Sequence, residues 1–134
     1  MGNNIGDINK AWHYMQQGEI LNALEEAEKV VDSDPYFYDA QVLCGEINTS
    51  NQDFLQAEKY LNKAINFNPH KPDAYMRLAW VKYYQNQIDL TVNAIKKAEE
   101  ILIEKDEQNN SIPDWVKSGI QELKRILLTN INKP

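Results

Sequence analysis

Few side chains in this protein are of the types that do covalent chemistry. Cys44 is the one cysteine, and His13 and His70 are the two histidines. A reactive thiol needs an electropositive, partly open setting and a base within reach. The two histidines are far apart in sequence, and neither has an obvious nucleophile beside it. Cys44 falls at a helix-packing position, where a small buried thiol is inert. The acids cluster as Glu25, Glu26 and Glu28 and again as Glu99, Glu100 and Glu104. With no Cys/His grouping at zinc spacing, these runs read as solvated helix faces rather than metal ligands. A Gly-rich phosphate loop is also missing. The sequence therefore predicts no enzyme, no metal and no cofactor.

The remaining candidates bind by packing. "LAWVKYYQ", Leu78 to Gln85, places Trp80, Tyr83 and Tyr84 within two helical turns. Tyr75, Leu78 and Ala79 follow one stripe, while Met76, Trp80, Tyr83 and Tyr84, at i, i+4, i+7 and i+8, follow another. A helix in a core needs one apolar stripe, so the second is free for a different task. Trp and Tyr supply large contact areas at low entropic cost and are common binding anchors.

Whole-chain properties narrow the task. The 134 residues suit one domain, 1–134, and the net charge is −6. Phosphate binding needs clustered Lys and Arg, and the close basic pairs are only Lys96–Lys97 and Lys124–Arg125, so nucleic acid is not expected. No apolar run approaches the ~20 residues that span a bilayer, so no membrane is expected. One cysteine excludes an internal disulfide and fits a reducing compartment. "MGNNIGDINK" lacks a basic stretch followed by an apolar one, so the expected location is the cytoplasm.

The elements that must position the aromatics emerge from an internal repeat. "QGEILNALEEAEKVVDSDP" (17–35) and "NQDFLQAEKYLNKAINFNP" (51–69) align with Pro35 and Pro69 34 residues apart. The same step joins Ala23 to Ala57 and Thr91, Ile20 to Phe54 and Ile88, and Ala11 to Gly45 and Ala79. Small residues sit where two helices cross closely, larger ones fill the gaps beside them, and Pro ends a helix. One such pair cannot bury its apolar side, but stacked pairs can. Helices are expected over 7–17, 19–32, 37–50, 53–67, 73–85 and 87–104, with Gly18 and "SNQD" marking turns. "EKDEQNN" then loses apolar character, and "SIPDW" restarts a helix with Ser111 as N-cap and Pro113 in its first turn. Ile112, Val116, Ile120, Leu123 and Leu127 form its single stripe, as a terminal capping helix requires.

The 34-residue period with these small, aromatic and Pro positions resembles the tetratricopeptide repeat (TPR) family. The middle unit carries the pattern as Cys44-Gly45, Phe54, Ala57, Leu61, Ala64 and Pro69. The third carries Tyr75, Leu78-Ala79, Ile88, Ile95 and Ala98, and the first Ala11, Tyr14, Gly18, Ile20, Ala23, Ala27 and Pro35. Lys10, Asn48, Lys82 and Thr91 depart from it, and the third unit lacks its closing Pro. The resemblance implies an all-α, right-handed solenoid of three antiparallel helix pairs, at about 4–37, 38–71 and 72–105, plus a capping helix at about 112–129.

It also implies that the first helix of each pair lines a concave groove. The groove stripes are then Ile5, Ile8, Trp12 and Met15; Asp39, Val42, Leu43, Glu46, Thr49 and Ser50; and Met76, Trp80, Tyr83 and Tyr84, with Arg77, Glu46, Asp39 and Asp73 setting polarity at the edges. The expected partner is a protein, presenting an extended peptide or a short amphipathic helix. Competing expectations are burial of the stripe in a homo-oligomeric scaffold, or beneath the capping helix. One branch of the family clamps acidic C-terminal tails with Lys, Asn and Arg. Here Ile8, Trp12, Leu43 and Asp73 stand at the clamp sites and Arg77 alone agrees, so that activity is not expected. Three repeats plus a C-terminal helix also resemble the layout of type III secretion chaperones, which hold an extended segment of a secreted protein.

Overall fold

The computed structural model describes residues 6–107 and 114–131. Ile5, Ser111, Ile112 and Pro113 lie outside the described residues. The described chain is helical: α1 (Ile8–Gln16), α2 (Ile20–Ser33), α3 (Tyr38–Ser50), α4 (Phe54–Phe67), α5 (Asp73–Tyr84), α6 (Ile88–Glu107) and α7 (Asp114–Ile131). It divides into two compact units, residues 1–69 with α1 to α4 and residues 70–134 with α5 to α7. The fold is that of TPR-type helix pairs, and the six helices predicted from the repeat have their ends shifted by three residues or fewer.

The turns inside the pairs share one backbone solution. Gly18, Gln52 and Asn86, one period apart, all have positive φ, at 77°, 61° and 61°. In each turn the next amide reaches back to the last helical turn: Glu19 N–H to Tyr14 O (2.9 Å), Asp53 N–H to Asn48 O (2.8 Å) and Gln87 N–H to Lys82 O (2.9 Å). This is the six-to-one bond of a helix closed by a left-handed residue, and it satisfies carbonyls the helix end would leave open. Connections this short turn the chain back on itself, so successive helices run antiparallel. Asp7 caps α1 by accepting from the amides of Asn9 (2.9 Å) and Lys10 (3.4 Å), and Asp53 caps α4 by accepting from Gln56 (3.3 Å).

In the first unit, α1, α2 and α3 share a core of Ala11, Ala23, Ala27, Leu43, Cys44 and Ile47, with Tyr14, Ile20, Leu24, Val31 and Tyr60 packed around it. α3 meets α4 at Gly45, where a Cβ would lie 2.6 Å from Leu61 Cγ and Cδ2. No residue but glycine permits this approach without displacing Leu61. In the second unit, Met76 and Ala79 of α5, Ala94, Ile95 and Ala98 of α6, and Val116, Ile120, Leu123 and Leu127 of α7 form one cluster.

The departures from the repeat pattern are accommodated locally. Asn48 is buried and donates from Nδ2 to Cys44 O (2.8 Å), and buried Thr91 donates from Oγ1 to Gln87 O (2.9 Å). Bonding back to their own helices lets these polar side chains occupy apolar positions without an orphaned group. Lys10 lies 5.9 Å from the Tyr14 ring centroid, an aromatic seat for its ammonium.

Candidate functional site

The side chains with reactive potential are occupied structurally. Cys44 is fully buried, and burial, reinforced by Glu28 and Asp32, pushes its thiol from 9.0 up to about 12. Such a thiol stays protonated and is a poor nucleophile. Tyr60, beside the same core, is also pushed up to about 12, by burial first and then by Cys44 and Glu28. His13 Nε2 lies 2.9 Å from Gln17 Nε2 at the surface. Glu25 and Glu26 pair with Lys29 at 3.9 and 3.7 Å, and Glu26 Oε1 also accepts the Asp7 N–H (3.0 Å). Glu99 pairs with Lys124 (2.9 Å) and Glu100 with Lys97 (3.8 Å). Among the described residues, no group of three His, Cys, Asp or Glu could hold a metal ion. No described helix is long and apolar enough to cross a membrane.

The expected groove residues separate by depth. In the first unit, Leu43 is 1% exposed and belongs to the shared core, and Val42 is buried as well. Both were expected on a binding face. They are interior because α3 buries side chains around nearly its whole circumference, from Tyr38 and Ala40 through Ile47 and Asn48. Ile8 and Met15 are half-buried against the core, and Trp12 stands out at 39% exposure. Glu46 is half-buried, and Asp39 and Ser50 are exposed. Half-buried Thr49 donates from Oγ1 to Gly45 O (2.7 Å).

In the second unit, Met76 is 2% exposed and is likewise corrected from groove to core. The reason is α7: a Cβ added at Gly119 would lie 2.9 Å from Met76 Sδ, so the α7 backbone rests on this methionine. The Arg77 guanidinium lies over the Trp115 ring, 4.6 Å from its centroid. Sequence reasoning missed this contact, since nothing in the spacing links a residue of α5 to one of α7.

Trp80, Tyr83 and Tyr84 come together as a three-ring cluster. Trp80 meets Tyr83 edge-on (6.1 Å, 87°) and Tyr84 at a tilt (5.9 Å, 31°), and the two tyrosines are 5.8 Å apart. These separations suit attractive aromatic pairs. Trp80 and Tyr83 are half-buried against the cluster that includes α7, while Tyr84 is 53% exposed. The stripe thus grades along α5 from the interior at Met76 to an open aromatic edge at Tyr84.

A family model described as tetratricopeptide repeat matches residues 38–71, the α3–α4 pair. No curated protein matches the chain. Among solved structures, the first TPR of Spaghetti (RPAP3), bound to an HSP90 peptide, is 20% identical with a TM-score of 0.70 and 90% coverage of both chains. The type III secretion translocator chaperone SycD of Yersinia enterocolitica is 14% identical with a TM-score of 0.72, covering 87% of this chain and 88% of that one. A MamA protein is 26% identical with a TM-score of 0.65 over 70% of this chain. The chain spans only 51–66% of the length of the MamA structures it matches.

Proposed function

We propose, on the premise that the chain is a tetratricopeptide-repeat protein, that it is a non-catalytic module that binds a segment of another protein. The observation that carries this reading is the three-ring cluster of Trp80, Tyr83 and Tyr84, with Tyr84 largely open to solvent. Tyr84 exposes a large apolar ring at the edge of a packed aromatic platform, the kind of patch that marks an interaction site. Trp12, flanked by Ile8 and Met15, offers a second aromatic surface on the first unit.

The ligand this surface favours is apolar and held by side-chain packing, as an amphipathic helix or an extended apolar peptide would be. It is not an acidic tail held by a basic clamp, although peptide complexes of HSP90 and Hsp70 are among the structural neighbours. Arg77, the one clamp-like residue, lies against Trp115.

A displayed library of helical and extended peptides, selected on the purified chain, tests the proposal. Replacing Tyr84 by Ser should weaken a selected ligand tenfold or more with unchanged helicity, whereas unaltered affinity would refute the site. Tyr84 is the cleaner probe, because the pair Trp80→Ala plus Tyr84→Ala also removes a ring packed on the core.

A second reading is a chaperone that holds a segment of a secreted protein. It is favoured by the match to the translocator chaperone over nearly the full length of both chains. The two readings differ in the ligand selected, and self-association as a scaffold would appear as a dimer or larger species by light scattering.

A further inference from the structure

We infer that the first unit carries a second docking site, separate from the Tyr84 face: a cleft between α1, α2 and the start of α3 that takes an arginine or lysine side chain from a basic segment of a partner.

The charge of the chain is unevenly divided. Residues 1–69 hold eleven Asp and Glu against four Lys, a net charge of −7, whereas residues 70–134 hold nine against ten Lys and Arg, a net charge of +1. The whole excess of negative charge lies in the first unit. Such a unit attracts cations and steers them to whichever of its surfaces seats them.

One surface has the shape for this. A cleft of about 460 Å³ has Ile8, Val30 and Phe37 as its apolar lining and Asp7 and Asp34 as its charged groups, and no lining residue is basic. α1 begins at Ile8 and α3 at Tyr38, 30 residues apart rather than the 34 of the repeat, so α1 is one turn short at this end. Asp7 spends Oδ1 on the amides of Asn9 (2.9 Å) and Lys10 (3.4 Å). Asp34 closes α2 through its backbone, N–H to Val30 O (2.9 Å), and its side chain is exposed. The cleft also lies at the C-terminus of the 14-residue α2, the negative end of the helix dipole, and the last turn of α2 has no basic residue. The lysines of α1 and α2 are engaged elsewhere, Lys10 over Tyr14 and Lys29 with Glu25 and Glu26.

A basic side chain answers each of these features. Its methylene stem lies on the apolar lining and its head reaches the two carboxylates. A guanidinium also pairs with a carboxylate through two N–H groups at once. Two residues past Asp34, Tyr36 is 75% exposed and packs against Phe67 with the rings 5.0 Å apart, a face for a second cation of the same segment. Exposed ion pairs are weak singly, so the ligand is a segment with several bases.

The test measures binding of a fluorescent peptide of alternating arginine and leucine to the full chain, with a glutamate–leucine peptide as control. The arginine peptide should bind and should lose tenfold or more in affinity between about 0.05 and about 0.5 M salt, as screening shortens the reach of the charges. The glutamate peptide should not bind. Asp7→Asn plus Asp34→Asn removes both charges and keeps the α1 cap, since asparagine caps as well as aspartate. It should weaken binding tenfold or more. Glu19→Gln plus Asp53→Asn removes as much charge at the starts of α2 and α4, outside the cleft lining, and should cost threefold or less. Ser33→Arg, at an exposed lining residue, puts a tethered cation in the cleft and should block the peptide; it decides alone if the aspartate pair loses helicity.

No binding by the parent, binding indifferent to these cleft substitutions, or an equal loss in the control pair overturns the proposal. A dimer that the aspartate pair dissolves would assign the cleft to a second copy and overturn a separate partner. Tyr84→Ser should leave the affinity for the arginine peptide unchanged, so this site and the proposed function fail separately; a tenfold loss there would place the peptide on the Tyr84 face and overturn the cleft.

Discussion

Gly45→Ala is the most discriminating single change, because two effects of known size oppose each other there. Gly45 is inside α3, and alanine in a helix interior is favoured over glycine by about 1 kcal/mol. On propensity alone the variant should be more stable. The new Cβ, however, would stand 2.6 Å from both Cγ and Cδ2 of Leu61, about 1 Å inside the usual 3.5–4.0 Å carbon contact. Leu61 is fully buried, so it has little free space to retreat into. Overpacking of this kind costs about 1–3 kcal/mol, which leaves a net loss of up to about 2 kcal/mol. Urea unfolding followed by far-UV circular dichroism should show the midpoint falling by up to about 1 M, for a slope of about 2 kcal/mol per molar. Leu61→Ala alone should cost about 2–5 kcal/mol. In that background the clash is gone, and Gly45→Ala should become stabilising by about 1 kcal/mol. A coupling between the two sites of about 1–3 kcal/mol is thus expected. A higher midpoint for Gly45→Ala in the parent chain, or the same change in both backgrounds, would refute the close approach of α3 and α4.

The remaining predictions concern the turns, the core and the thiol. Gln52→Gly and Asn86→Gly should each stabilise by about 0.5–1 kcal/mol, more at Gln52, because both hold φ at 61°; Gly18→Ala should lose a similar amount through backbone strain alone, since nothing lies within 4 Å of its Cβ. Thermal melts of the three variants check the signs together. Leu43→Ala and Met76→Ala should cost about 2–5 kcal/mol in denaturant unfolding, whereas loss of a residue on a free face would cost under about 0.5 kcal/mol. Cys44 should resist an aromatic disulfide reagent in the native chain and react once the chain is unfolded. Its thiol is held neutral well above its unfolded value, so the folded state keeps a proton that the unfolded state releases. That stabilising contribution is intact below about pH 9 and fades as the pH rises toward about 12, with Tyr60 adding to the alkaline loss from about pH 10. The unfolding midpoint should fall across that range, and less steeply in Cys44→Ala.

The crossing points were the most legible part of the molecule. Ala11, Gly45 and Ala79, and Ala23, Ala57 and Thr91, recur at one period, and all are buried as close helix contacts require. What the sequence hid was the division of labour around α3 and α5. Both helices bury side chains on several sides, so Leu43 and Met76 look no different in sequence from residues on a binding face. Tyr84 and Met76 belong to one stripe by spacing, yet α7 covers the second and leaves the first open. The stripe of α7 was evident from Val116 to Leu127, but a periodic pattern tells which side of a helix is buried and not what it meets. Gln52 was silent, since a left-handed backbone is advertised by residue type at Gly18 and, more weakly, at Asn86, asparagine tolerating that conformation better than glutamine.

The shared geometry of Gly18, Gln52 and Asn86 has a practical consequence for building new proteins from this one. Because each hairpin bends through the same backbone shape at the same phase, the three sites are interchangeable splice junctions. A segment bounded by two of them could be transplanted or duplicated with its flanking peptide geometry already matched at both seams.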